Sequence, residues 1–175
     1  MKFDYRKEVI LRIVNKKEDL GKTAVMKMVF ILQRVFKMKL GYKFDIYTYG
    51  PYAAEVSGDL GILTYEGFVN ENVYEYGKFS GYELSLSERG KSLDVELSPE
   101  DEKNINRVIE LFGDKRAKDL ELDSTIIYIR DLNIKNKWSA SKEDIVDDVH
   151  EIKPHFDASE IAEAYDNLEK DGMLV

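Results

Sequence analysis

Apolar residues recur at three- and four-residue spacing through most of this sequence and alternate with polar ones in only a few short stretches. That pattern confines the chain to a mainly helical fold with a little sheet. A side-chain period near 3.6 buries one face of a helix, and a period of 2 buries one face of a strand. Residues 4–17 carry the stripe Val9, Ile10, Ile13 and Val14, which predicts a first helix. Residues 22–38 carry Val25, Met28, Val29, Leu32, Val35 and Phe36 on one face, and Gly41 ends this second helix. The alternating, β-rich stretch 44–49 reads as a strand, with Gly50-Pro51 as its turn and Pro51 near the first turn of a third helix over 52–65. Ala53, Val56, Leu60 and Leu63 are the buried stripe of that helix. Residues 73–76 and 82–86 flank a glycine-bounded turn, 77–81, and read as a β-hairpin. A short helix over 88–95 is capped by Ser87.

Helix signals then dominate. Ser98-Pro99-Glu100-Asp101-Glu102 places a capping serine, a proline and three acids where a helix N-terminus favours them. Four helices follow, over 99–112, 117–132, from 141 or 142 to 152, and 158–170. The expected class is α+β, mainly α.

Charge divides the chain. Residues 1–97 hold 15 Lys/Arg against 14 Asp/Glu, whereas residues 98–175 hold 11 against 20, within a net charge of −8. Such asymmetry predicts two parts, 1–97 and an acidic helical 98–175. Residues 21–44 contain Lys22, Lys27, Arg34, Lys37, Lys39 and Lys43 and no acid. On a helical wheel Lys27, Arg34 and Lys37 fall opposite the apolar stripe, either as a solvated helix back or as a grip on a phosphate backbone.

The order helix, helix, short strand, helix, hairpin, helix over residues 5–95 resembles a winged helix-turn-helix with a two-stranded wing. Leu60-x-x-Leu63-x-x-x-Gly67-Phe68-Val69 resembles a recognition helix running into the wing. Tyr82-x-Leu84-Ser85-x-x-x-x-Gly90 resembles the second wing strand entering the next helix. Tyr49-Gly50-Pro51-Tyr52 followed by Leu60 is similar to the Tyr-Gly-Pro segment of the Panacea domain, found in antitoxins and in phage- or defence-linked prokaryotic proteins. The resemblance implies a non-enzymatic regulator or antitoxin-like binding protein. Residues 141–175 are read as a truncated second helix-turn-helix.

Two partner classes follow, double-stranded DNA and a protein, with a homodimer as a further arrangement. The candidate nucleic-acid contacts are Lys22, Lys27, Arg34, Lys37, Lys39, Lys43, Tyr52, Ser57 and Lys78. Against DNA stands the third helix, which has no Lys or Arg and carries Glu55, Asp59 and Glu66, acids expected to repel phosphates. A third reading is intramolecular, with the basic stretch docked on the acidic half. Tyr47, Tyr49, Tyr52 and Tyr65 are either stacking platforms or half-buried packing residues.

Catalysis has little to build on. The absence of cysteine excludes disulfides, thiolate nucleophiles and cysteine-held zinc. His150 and His155 stand five apart around Pro154, unlike helix-borne metal ligands. Asp147, Asp148 and Glu151 beside them form either a weak divalent site or a polar helix end. No cofactor is expected, and an unrecognised enzyme ranks third. The first six residues lack the apolar core of a signal sequence, so the expected location is cytoplasmic.

Overall fold

The computed structural model describes residues 3–175. Met1 and Lys2, the start of the segment read for a signal sequence, lie outside the described residues. The fold is α+β and mainly α, with two small antiparallel sheets. The chain divides into two compact units. One comprises Met1–Phe44 and Ala53–Lys115, the other Asp45–Tyr52 and Arg116–Val175. The boundary expected after residue 97 on charge therefore falls after Lys115, and a short internal segment belongs with the C-terminal unit.

In the N-terminal unit α1 spans Tyr5–Lys16, capped by Asp4, whose carboxylate accepts the Lys7 N–H. Helix α2, Lys22–Arg34, is the central helix. Every residue from Val25 to Leu32 is buried, Lys27 included. It ends four residues earlier than its apolar stripe predicts, because Lys37 adopts a left-handed φ of 58°. Helix α3 spans Ala54–Tyr65. Strands β3, Val69–Tyr76, and β4, Phe79–Leu86, pair around a turn at Gly77-Lys78. The turn is therefore tighter than the predicted 77–81. Gly81 instead lies inside β4, where a Cβ would stand 2.6 Å from the Tyr74 hydroxyl. Leu20, between α1 and α2, adds a single β-bridge to Leu84 on the free edge of β4. The short α4, Glu88–Lys91, and the longer α5, Pro99–Phe112, complete the unit. Ile105, Val108 and Phe112 of α5 are buried, and α5 packs on α1 and α2.

In the C-terminal unit β1, Asp45–Tyr47, pairs with β2, Gly50–Tyr52, and β2 lies against α6, Ala117–Lys135. Pro51 is thus a buried strand residue paired with Ile46, not the first residue of a helix. Proline is tolerated there because an edge strand leaves N–H groups outside the ladder. Helix α7, Lys142–Ile152, is capped by Ser141, and α8, Ala158–Lys170, by an Asp157–Glu160 capping box. Helices α6, α7 and α8 pack on one another, and Ile126, Ile145, Val149, Ile161 and Leu168 on them are buried.

Candidate functional site

The placement of α3 starts from its inner stripe. Val56, Asp59, Leu60 and Leu63 are buried, and the one charge among them is fully engaged. Asp59 receives Arg6 Nε at 2.9 Å, Lys7 Nζ at 3.4 Å and the Tyr42 hydroxyl at 2.8 Å. The Arg6 guanidinium also lies 4.9 Å above the Tyr42 ring. Burial pushes the Tyr42 phenol well above its ordinary range, and its hydrogen bond to the Asp59 carboxylate adds to the shift. Two cations and a phenol on one carboxylate set the rotation of α3 about its axis. They also correct an expectation: Asp59 does not face outward, and its charge is already matched.

That rotation decides what α3 shows to solvent. Ala54, Ser57, Gly58, Gly61, Ile62 and Tyr65 are exposed, with Tyr65 at 93% and Ile62 at 45%. None of these six side chains is charged. Glu55 and Glu66, at the two ends, are half-buried. Sequence reasoning named Tyr65 and Ser57 but missed Ile62. The usable signal was the residual stripe at 54, 57, 58, 61, 62 and 65 once the inner positions are removed.

The predicted basic set is scattered. Lys27 is 2% exposed, so its ammonium cannot reach a phosphate on a bound duplex. The helical wheel misplaced it because a wheel assumes one solvated face, whereas α1, α3, α5 and β4 all pack against α2. Arg34 is half-buried. Lys22 pairs with Glu71 at 2.9 Å and lies 4.8 Å above the Tyr82 ring. Lys37, Lys39, Lys43 and Lys78 are exposed. Lys37 and Lys39 line a cleft of about 280 Å³ together with Glu100, Asp101 and Asn104 of α5. Asp101 accepts the Tyr5 hydroxyl at 2.9 Å. Nearby, Glu102 pairs with Arg12 at 2.7 Å and Lys16 at 2.9 Å. Glu102 of α5 therefore pairs with bases of α1, and Glu100 and Asp101 share a cleft with Lys37 and Lys39 of the loop after α2. Ser57 is exposed on α3, whereas Tyr52 is half-buried in β2 of the other unit, 5.3 Å from the Tyr47 ring.

The Tyr-Gly-Pro segment has a structural occupation in the C-terminal unit. Gly50 holds a φ of 89°, and a Cβ there would lie 3.1 Å from Thr125 Oγ1, 3.2 Å from Ser124 Oγ and 3.3 Å from the Glu121 carbonyl oxygen. Only glycine combines that φ with that approach at little cost. Beside it, buried Lys153 and Glu121 pair at 3.0 Å. The same ammonium donates to the Tyr47 and Thr48 carbonyls of the β1–β2 turn. Lys153 thus ties the hairpin to α6.

His150, His155 and Asp148 have local partners, whereas Asp147 and Glu151 are exposed. His150 Nδ1 lies 2.7 Å from the Phe156 carbonyl oxygen, and His155 Nε2 lies 3.2 Å from Glu121 Oε1. Asp148 accepts from Asn133 at 2.7 Å. Among the described residues no group of three or more His, Asp or Glu side chains is placed to hold a metal ion. No helix among them is long and apolar enough to cross a membrane.

No protein-family model matches the chain. The chain is similar to the uncharacterized protein YwgA of Bacillus subtilis (strain 168), at 28% identity over 120 residues, covering 69% of this chain and 71% of that protein.

Proposed function

We propose that this chain is a non-enzymatic winged-helix binding protein, a regulator or antitoxin-like adaptor that holds a protein partner on the outer face of α3. Three features support the winged-helix arrangement. The elements α1, α2 and α3 precede the β3–β4 hairpin, α3 packs on β3, and Leu20 bridges to Leu84 as a one-residue third strand. In this arrangement β1 and β2 form an excursion between α2 and α3.

One observation carries the choice of partner. The exposed face of α3 presents Ile62 and Tyr65 and no charge, while Lys27 of the basic helix is buried. Duplex affinity rests on Lys and Arg neutralising phosphates. A protein interface instead draws on aromatic and aliphatic anchors that leave water. Tyr65 is such an anchor, and Gly58 and Gly61 let a partner approach the helix backbone.

DNA is the second reading, favoured by exposed Lys37, Lys39, Lys43 and Lys78. Two measurements separate the readings. Affinity capture from the native host should retain a partner with the wild-type chain and lose it with Ile62→Ser/Tyr65→Ser. The same partners on both chains would overturn the protein reading. Fluorescence anisotropy with mixed duplex DNA at about 50 and about 200 mM salt should show no steeply salt-dependent binding. Steep salt dependence, removed by Lys37→Glu/Lys43→Glu, would put DNA in the protein's place.

A further inference from the structure

The β1–β2 hairpin is held more firmly than two three-residue strands could hold themselves. Lys153, 5% exposed, gives its ammonium to the Tyr47 and Thr48 carbonyls of the turn, and buried Glu121 neutralises it at 3.0 Å. Gly50 seats the end of the turn on Ser124 and Thr125. A buried ion pair adds little stability over an apolar pair of the same size. What this one does is fix the turn, and the side chains it fixes stay in water. Tyr47 is 59% exposed and Tyr49 69%.

One face of the hairpin forms a corner suited to a cation. Tyr47 and Tyr52 meet with ring centroids 5.3 Å apart and an interplanar angle of 64°. Asp45 stands directly opposite Tyr52 in the strand register and two residues from Tyr47, so the three side chains share that face. Asp45 is exposed, and among the described residues no cation pairs with it. Two rings at a steep angle with a carboxylate beside them attract a positive charge, the rings through their quadrupoles and the carboxylate through its full charge. The charges behind the turn are already matched, since Lys153 pairs with Glu121, which also lies 3.2 Å from His155 Nε2. The unit formed by Asp45–Tyr52 and Arg116–Val175 holds 8 Lys/Arg against 16 Asp/Glu, so its wider field draws the same kind of partner.

We propose that this corner binds the cationic side chain of a basic peptide segment, which makes the C-terminal unit a docking site for an arginine- or lysine-bearing protein partner. The site is separate from α3 and stands whether or not that helix holds a partner. Arginine is the better occupant, because its planar guanidinium stacks on a ring while its N–H groups reach the carboxylate.

NMR titration of the full chain with a short glycine–serine peptide carrying two arginines tests this. The peptide should bind with a dissociation constant of about a millimolar. Its arginine Hδ signals should move upfield as the side chain settles over the rings. The same peptide with lysines should bind more weakly, and with glutamines not at all. Tyr47→Leu keeps an apolar side chain without the ring quadrupole and should weaken binding about threefold. Asp45→Asn should weaken it by about as much. Glu163→Gln, at an exposed position of α8, removes the same charge from the same unit and should leave the affinity within about 1.5-fold. All three replacements are at exposed positions, so the fold is retained. Equal weakening by Asp45→Asn and Glu163→Gln would reduce the attraction to net charge and overturn the proposal. So would equal binding of the glutamine peptide, an unchanged affinity in Tyr47→Leu, or no saturable shift at about ten millimolar arginine peptide.

Discussion

Helices α2 and α3 invert the usual relation between charge and exposure. Helix α2 carries Lys22, Lys27 and Arg34 and is buried from Val25 to Leu32. Helix α3 turns its one central acid, Asp59, inward and shows solvent a face of Ala54, Ser57, Gly58, Gly61, Ile62 and Tyr65. The basic helix is thus part of the core, and the helix that carries only acids leaves an uncharged face in solvent. A charge in a sequence marks a contact surface only when packing leaves it outside. In this N-terminal unit packing took Lys27 and Asp59 inside and left Lys37, Lys39 and Lys43 out.

The largest expected effect tests the buried side of this comparison. Lys27→Glu should lower unfolding free energy by about 3–5 kcal/mol, as expected when a buried charge is placed without its counterpart. Lys37→Glu, at an exposed position, should stay within about 0.5 kcal/mol. Urea unfolding of both variants checks the contrast, and equal effects would break it.

Asp59→Ala should cost about 2 kcal/mol. It removes the acceptor of Arg6, Lys7 and Tyr42, but Arg6 keeps a third of its side chain in water and can rehydrate. The same variant tests the Tyr42 phenol. Its folded pKa is raised above the unfolded value of 10.0, foremost by burial, so its contribution is complete below about pH 10 and is lost as pH rises. In an ultraviolet titration Tyr42 should stay protonated where exposed tyrosines ionise, and it should shift back toward them in Asp59→Ala.

Two glycines sharpen the comparison with opposite signs. Gly50→Ala should destabilise by about 1–3 kcal/mol, because it combines a φ of 89° with a Cβ 3.1 Å from Thr125 Oγ1. Gly58→Ala should stabilise by up to about 1 kcal/mol, since nothing surrounds that Cβ. Thermal unfolding of the two variants reads both signs.

The smallest effect belongs to an acid that stays in water. The Asp157 carboxyl is held below its ordinary range, foremost by the Ser159 hydroxyl and then by the Glu160 N–H. Its stabilisation is present above about pH 4 and is lost as pH falls through the depressed value. Asp157→Ala should therefore shift the urea midpoint slightly at neutral pH and converge on wild type in acid.

Much of the secondary structure was legible because it rests on local chemistry. Ser98, Ser141 and Asp157 each accept a backbone N–H three residues on, as N-caps do, and the helices they open start where the sequence places them. The β3–β4 hairpin and the end of α3 before Gly67, with its φ of 75°, follow from the same kind of signal. The Gly50-Pro51 segment was misread because a proline after a glycine is equally at home at a helix start and on an edge strand. Only the partner across β1 and the α6 hydroxyls beneath Gly50 distinguish the two. For the candidate site, Ser57 and Tyr65 were visible as isolated residues, but Ile62 was not, since an apolar residue beside an apolar stripe reads as core.

What the sequence determined by itself is the mainly helical α+β class, most helix boundaries and the caps, all set by interactions within a few residues along the chain. Only the tertiary structure decided which faces of those helices meet water. Exposure depends on what packs from outside the helix, here α1, α3, α5 and β4 around α2, and Arg6, Lys7 and Tyr42 around Asp59. Those neighbours come from distant stretches of sequence, so a periodicity that names a helix leaves open how many of its sides the fold will cover.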